Sequence, residues 1–240
     1  MRPGEVCEQF YREIGDFLAP YGWKYLKSTH EAKKQINDIV CEVMMGASWN
    51  NDETSARVRI FFLMWSKNIS KKYSAYANVL SFQFAPLSGR DDEWWELMGE
   101  GSYERCVADA KAKIEASVIP LVDEFEDNAL KAVEKYAIDP YINDYAVRDR
   151  KVYPRIVYIS KTLGNRLAQQ SYKQRYDSDE FLRIRAKKDA QSYIDNMEKA
   201  KRYRSNGAWW VSIDIMHMID ESIIALDENG EIIFPPIDSQ

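Results

Sequence analysis

Few residues in this 240-residue chain have the types and spacing that acid–base or metal chemistry needs. It has two histidines, His30 and His217. Asp214 and Asp220 lie three residues to either side of His217, so on a helix the three side chains could converge on a metal ion. A helix-face histidine paired with one carboxylate is the simpler interpretation, and His30, in a polar turn, is expected at the surface.

The other chemical patterns are incomplete. Cys7, Cys41 and Cys106 are far apart and lack the spacing of metal ligands or of a disulfide framework. Gly99-Glu100-Gly101 precedes a helical pattern but lacks the strand and the lysine of a phosphate-binding loop. The sequence therefore identifies no catalytic residue and leaves enzymatic activity open, although the lack of a motif favours a non-enzyme. It predicts no metal site and no cofactor, and it favours reduced thiols in a cytoplasmic protein.

Two tryptophan pairs, Trp94-Trp95 and Trp209-Trp210, are candidate partner-binding residues. Neighbours on a helix point about 100° apart, so in each pair one ring can face the core while the other lies nearer solvent. An exposed tryptophan is a natural anchor for a protein partner or a stacking surface for a base. The alternative is that both rings belong to a core or a domain interface.

Charge is strongly segregated along the chain. Residues 148–204, here called the basic block, carry sixteen Lys and Arg against seven Asp and Glu. From Ser205 to Gln240 there are seven acidic residues and no Lys or Arg. Such asymmetry indicates either an external partner or the packing of one part of the chain on another.

The cations of the basic block favour an outward-facing surface with more than one possible use. On the helix predicted after Asp179, Arg185, Lys188, Lys199 and Arg202 lie roughly opposite the apolar stripe. Such a surface could bind nucleic acid or a phosphate ligand, or it could dock an acidic protein. It could also pair with the acidic C-terminal residues, or simply be solvated.

The elements that would position these residues begin with strands. Residues alternate between apolar and polar over Ile39–Trp49 and again over Ala56–Met64, with a turn at Asn50–Glu53 between them. Trp23–Lys27 and Val79–Phe84 are shorter strand candidates. Together they predict a four-stranded antiparallel meander, in which Trp49 shares the buried face of its strand.

Helices flank and follow this meander. A helical stripe runs from Tyr103 to Phe125 with a kink or a break expected near Pro120, and another helix follows over 128–136. A boundary over 139–150 separates an α+β domain, 1–138, from a basic helical unit, 148–240, and the two are expected to pack together. The second unit is predicted to be mainly helical, with a helix favoured over 209–218 and a hairpin over 223–234.

Two local patterns flank the predicted strands. The first helix ends in Leu-x-x-x-Gly-aromatic (Leu18–Trp23), and the later helix carries an apolar-Pro-apolar step (Ile119–Leu121) before Phe125. In this arrangement residues 4–135 resemble an uncharacterised family of small bacterial α+β domains of unknown function. Related domains often accompany toxins and other conflict systems, so the resemblance implies an immunity or inhibitor role.

The leading hypothesis is a non-enzymatic cytoplasmic interaction protein of a bacterium or phage, immunity- or inhibitor-like, which occludes a protein partner. One alternative is a metal-dependent enzyme acting on nucleic acid or nucleotides, whose carboxylates converge only in the fold. Another is a nucleic-acid-binding protein that uses the basic block. No apolar run approaches the length of a membrane span, so no membrane partner is expected.

Overall fold

A computed structural model describes residues 2–73, 78–84, 94–138, 152–197 and 213–237. These residues form two compact units. Unit 1 contains residues 2–64, 81–84 and 94–129; unit 2 contains residues 65–73, 78–80, 130–138, 152–197 and 213–237. The domain boundary predicted at 139–150 lies outside the described residues.

The first elements of the chain alternate helices with an antiparallel sheet. In order they are α1 (Pro3–Leu18), a short 3-10 helix (Ala19–Tyr21), β1 (Lys24–Leu26), β2 (Glu31–Ile36), β3 (Ile39–Ala47), β4 (Arg57–Ser66), α2 (Lys67–Tyr73), β5 (Asn78–Gln83), β6 (Trp95–Glu96) and α3 (Ser102–Ile138). The sheet runs β1-β2-β3-β4-β5, and β6 also pairs with β4. The predicted α+β class is therefore confirmed.

The sheet contains a strand that the sequence pattern did not indicate. Glu31–Ile36 forms β2, antiparallel to β3, with Lys33 opposite Glu42. The Lys33 Nζ lies 2.8 Å from Glu42 Oε1, so this polar pair is satisfied within the sheet. The path consequently has five strands, one more than the predicted meander.

One face of β3 and β4 forms the core of unit 1, as the alternation predicts. Its buried side chains are Ile39, Cys41, Val43 and Met45 from β3, and Val58, Ile60, Phe62 and Met64 from β4. The apolar stripes of α1 and α3 are buried as well, including Phe10, Ile14, Leu18, Ile114, Val118 and Phe125. Burial of this apolar surface is the main source of stability for the unit.

Of the kink or break predicted near Pro120, the break does not occur there. Within α3 the residue with non-helical dihedral angles is Asn128, at φ −155° and ψ 89°, whereas Pro120 lies inside the helix. Ile119, Leu121 and Val122 are all buried beside the proline. We infer that their burial offsets the hydrogen bond that proline cannot donate, and so carries the helix past it.

Unit 2 is mainly helical, as predicted, and ends in a hairpin. Its principal elements are α4 (Val152–Leu163), α5 (Asn165–Ser178), α6 (Glu180–Asp195), α7 (Ile213–Asp220), β7 (Ala225–Leu226) and β8 (Ile232–Ile233). The hairpin turn is organised by Asp227, whose carboxylate accepts the Asn229 and Glu231 backbone N–H groups at 2.9 and 2.8 Å. The helix favoured over 209–218 is confirmed from Ile213 onward, and 209–212 lie outside the described residues.

None of the helices in the described part of the chain is long and apolar enough to cross a membrane.

Candidate protein-interaction surface

Trp94 and Trp95 lie at β6 and point in different directions. Trp95 is only 2% exposed, and its Nε1 donates to Asp109 Oδ2 at 2.7 Å. Trp94 is half-buried and therefore keeps accessible surface. The predicted division into one core ring and one accessible ring is thus observed. It arises from extended backbone and not from a helix, because successive side chains of a strand face opposite sides.

Two of the predicted basic site residues lie on α6. Arg185 and Lys188 are both exposed, and the Arg185 Nε is 3.6 Å from the Asp189 carboxylate one helical turn away. Lys199, Arg202, Trp209 and Trp210 are outside the described residues. The described structure therefore places Trp94 and Trp95 in unit 1 and Arg185 and Lys188 in unit 2.

Part of the basic block is neutralised by acidic residues near the C-terminus. Lys161 forms an ion pair with Glu221. The Lys187 Nζ lies 2.8 Å from Glu231 Oε2, on the terminal hairpin. These two ion pairs are contacts between the basic block and the chain's own acidic residues, which is one of the uses considered for the block.

Uncharged side chains bind the same C-terminal segment to α5. The Gln169 amide donates to the Ile223 carbonyl at 3.0 Å and to the Pro235 carbonyl at 2.8 Å. Phe234 packs against the rings of Tyr172 and Tyr176, with centroids 6.0 and 5.7 Å apart. The C-terminal segment that follows the hairpin is consequently packed against α5.

The histidines and carboxylates do not form a metal cluster in the described structure. His217 is buried on α7, whereas His30 stacks on Tyr11 and places Nε2 3.4 Å from Glu8 Oε1. Within the described ranges, no group of three or more His, Cys, Asp or Glu side chains is arranged to hold a metal ion.

The cysteines are buried or half-buried thiols. Burial is the main cause that raises the pKa of Cys7 and of Cys106 to about 11 and that of Cys41 to about 12. At neutral pH all three are protonated, and a protonated thiol is a poor nucleophile and a poor metal ligand.

These raised pKa values predict a loss of stability in alkali. An unfolded thiol ionises near its ordinary value of 9, but the buried Cys41 thiol does so only near 12, so its contribution to the free energy of unfolding is present below pH 9 and lost above it. The loss amounts to at most about 1.4 kcal/mol per pH unit for one thiol. Urea unfolding of the reduced protein between pH 8 and 11 should show a shallower decline for Cys41→Ala than for the wild type, and equal slopes would contradict the prediction.

The most exposed apolar side chain in the described structure is one that the sequence pattern placed in the core. Trp49 is 96% exposed, because β3 ends at Ala47 and Trp49 begins the turn that leads to β4. Its assignment to the buried face of a strand is therefore wrong. The signal that could have identified it is the run Asn50-Asn51-Asp52, whose residue types favour a turn directly after the tryptophan.

The loop that carries Trp49, residues 48–56, is held by hydrogen bonds on both sides of the tryptophan. The Asn51 amide oxygen accepts the Arg57 backbone N–H at 2.8 Å, and its Nδ2 donates to the Arg57 carbonyl at 3.2 Å. The Asp52 carboxylate accepts both the backbone N–H and the hydroxyl of Thr54, at 2.9 and 2.8 Å. These bonds lower the pKa of Asp52, so its carboxylate stays ionised and keeps the turn closed.

Glu96 of β6 fixes the far end of the same loop. Its carboxylate accepts the Ser55 hydroxyl at 2.7 Å, the Ala56 backbone N–H at 2.9 Å and the Arg57 Nε at 3.0 Å. Trp49 thus extends into solvent from a loop whose backbone is already ordered.

Comparison of the chain with protein-family models, curated proteins and solved structures gives no match.

Proposed function

We propose that the protein is an interaction module that binds a partner protein through the loop 48–56, with Trp49 as the anchor. The observation that carries the proposal is a 96% exposed indole on an ordered loop. Tryptophan is enriched among the residues that supply most of the binding energy in protein interfaces, because it brings a large apolar surface and one hydrogen-bond donor.

The rigidity of the loop supports this role. A flexible loop must lose conformational entropy when it binds, and that loss subtracts from affinity. Here Asn51, Asp52 and Glu96 already hold the backbone around Trp49. Little further ordering is needed when the indole enters a pocket on a partner.

We further propose that binding occludes the partner. An immunity- or inhibitor-like module of a bacterium or phage acts by covering a functional surface of its target, without chemistry of its own. A protruding anchor on a rigid loop is compatible with this mode, because it inserts into an existing pocket on the target.

Replacing Trp49 with alanine is expected to abolish partner capture without unfolding the protein. Removing an exposed side chain changes the free energy of unfolding by less than about 0.5 kcal/mol, whereas loss of an interface anchor costs about 2 kcal/mol or more of binding. The measurement is stoichiometric capture from an extract of the source organism by the tagged full-length chain, with urea unfolding of each variant.

Leu130→Ala is the matched control, because Leu130 is also exposed (56%) and apolar but lies far from the loop in sequence. Capture should survive in Leu130→Ala and disappear in Trp49→Ala. A partner retained at wild-type level by Trp49→Ala would reject the proposed site.

A further inference from the structure

A second group with the composition of a binding site lies next to the Trp49 loop. On β4 the Arg59 guanidinium carbon lies 4.7 Å from the centre of the Phe61 ring and 4.7 Å from that of the Trp94 ring. Arg59, Phe61 and Trp94 are all half-buried, so each retains some solvent-accessible surface. Stacking on aromatic rings orders the guanidinium while leaving its N–H edge able to bind an acceptor.

Arg59 differs from its neighbour Arg57 in one respect. The Arg57 Nε is 3.0 Å from Glu96 Oε2, which neutralises that cation. Among the described residues, no carboxylate lies within ion-pair distance of Arg59, whose guanidinium packs on the two aromatic rings. The cation is therefore ordered but not neutralised by the described part of the chain.

The Arg59 group and the Trp49 loop belong to one continuous part of unit 1. The Ser48 backbone N–H donates to the Arg57 carbonyl at 2.9 Å, so the residue before Trp49 pairs with Arg57. Arg57 and Arg59 lie on the same face of β4, separated by about 7 Å along the strand. The backbones of Trp49 and Arg59 are therefore close enough for one extended partner segment to reach both residues.

We propose that the occupant of this surface is a protein segment with a single Asp or Glu next to an apolar side chain. Its carboxylate accepts paired hydrogen bonds from the Arg59 guanidinium, and its apolar side chain packs on Trp49. This inference rests on the proposed function and adds the chemistry of the partner. A carboxylate is the natural match, because the planar guanidinium can donate two parallel hydrogen bonds to it.

The charges around the loop favour one carboxylate over a polyanion. Asp52 and Glu53 are exposed on the same loop as Trp49. Their negative charge would repel a phosphate chain more strongly than a lone carboxylate that binds the Arg59 guanidinium. A nucleic acid is for this reason the less favoured occupant.

The test uses a displayed library of random twelve-residue peptides, selected in parallel against the full-length wild type, Trp49→Ala, Arg59→Gln and Arg166→Gln. Arg166 is exposed on α5 and serves as the matched control for loss of one surface cation. The wild type and Arg166→Gln should enrich peptides with an Asp or Glu beside an apolar residue. Arg59→Gln should lose the preference for acid while keeping the apolar residue, and Trp49→Ala should lose both.

The strongest wild-type peptide is then compared with its own Asp→Asn or Glu→Gln version by fluorescence anisotropy. Neutralising the peptide should weaken binding to the wild type roughly tenfold or more and leave binding to Arg59→Gln unchanged. Equal losses on both proteins, or no acid among Trp49-dependent peptides, would overturn the carboxylate inference while leaving the Trp49 site standing. Peptide pools that are the same for Trp49→Ala and the wild type, or the absence of any enriched pool, would overturn both.

Urea unfolding of Arg59→Gln separates recognition from a structural role. The variant should match the free energy of unfolding of the wild type to within about 0.5 kcal/mol. A larger loss would assign Arg59 to the stability of unit 1 and count against a role in binding.

Discussion

Replacing Lys113 with methionine is expected to lower the free energy of unfolding of unit 1 by about 3–5 kcal/mol. Lys113 Nζ lies 2.9 Å from Asp109 Oδ2, and the two side chains are only 5% and 10% exposed. Trp95 Nε1 donates to the same oxygen at 2.7 Å. Without the lysine, the Asp109 carboxylate would lose its main counter-charge. It would remain in a region that water reaches poorly, so its negative charge would be poorly compensated.

An exposed pair of the same residue types and spacing provides the control. Lys173 and Asp177 are also four residues apart on a helix, at 2.6 Å, but their side chains are 50% and 57% exposed. Lys173→Met is expected to cost no more than about 1 kcal/mol, because solvent screens such pairs. Urea unfolding followed by circular dichroism gives both values. Similar losses in the free energy of unfolding for the two substitutions would show that burial does not make the Lys113–Asp109 pair contribute more than an exposed pair.

Replacing Gly15 with alanine is expected to destabilise unit 1 by about 2 kcal/mol, although alanine is the better helix former by about 1 kcal/mol. A Cβ at Gly15 would lie 2.6 Å from Cγ and 2.8 Å from Cβ of Tyr25. Those atoms are close to the backbone of β1 and cannot swing away as the end of a flexible side chain can. Relief of the contact therefore requires α1 and β1 to move apart.

Gly4, in the same helix, is the matched control because a Cβ there would meet nothing within 4 Å. Gly4→Ala should leave stability unchanged or raise it by up to about 1 kcal/mol. In a Tyr25→Gly background the cost of Gly15→Ala should fall, since neither the Cγ nor the Cβ of Tyr25 is then present. A cost that is the same in both backgrounds would mean that crowding against Tyr25 is not its cause.

The parts of the fold that the sequence predicts are those with clear periodicity. β3 and β4 alternate apolar and polar residues over many positions, and their inward residues, such as Cys41 and Phe62, are buried as expected. The terminal hairpin is equally predictable from the sequence, because Asp227 and Gly230 are residue types that favour turns. In these segments local preference and tertiary burial agree.

β2 could not be predicted because its stability depends on partners distant in the sequence. In Glu31–Ile36 only Ala32 and Ile36 are apolar. Lys33 pairs with Glu42, and Lys34 Nζ lies 2.6 Å from Glu126 on α3. The strand pairs with β1 on one edge and with β3 on the other, and those two carboxylates satisfy its lysines. A short sequence window contains none of these interactions.

The candidate site was predictable in type but not in position. An exposed tryptophan was expected, and Trp94 does retain accessible surface, whereas the most exposed ring in the described structure is that of Trp49. Alternation extended the strand by two residues too far, so the ring at its end was assigned to the core. The stacking of Arg59 on Trp94 depends on the pairing of β4 with β6, whose paired residues are 37 and 39 positions apart, and no spacing rule indicates it.

The two hydrogen bonds of Gln169 bear on how the chain folds during synthesis. They join α5 to carbonyls 54 and 66 residues later in the chain. At about 5–20 residues per second, the ribosome needs about 3–13 seconds to add those 66 residues. During that interval the ring of Tyr172 lacks the Phe234 contact that helps to bury it in the native state. Unit 2 therefore passes through a period in which a nascent helix presents aromatic surface to chaperones and to neighbouring chains, and slower translation lengthens that period.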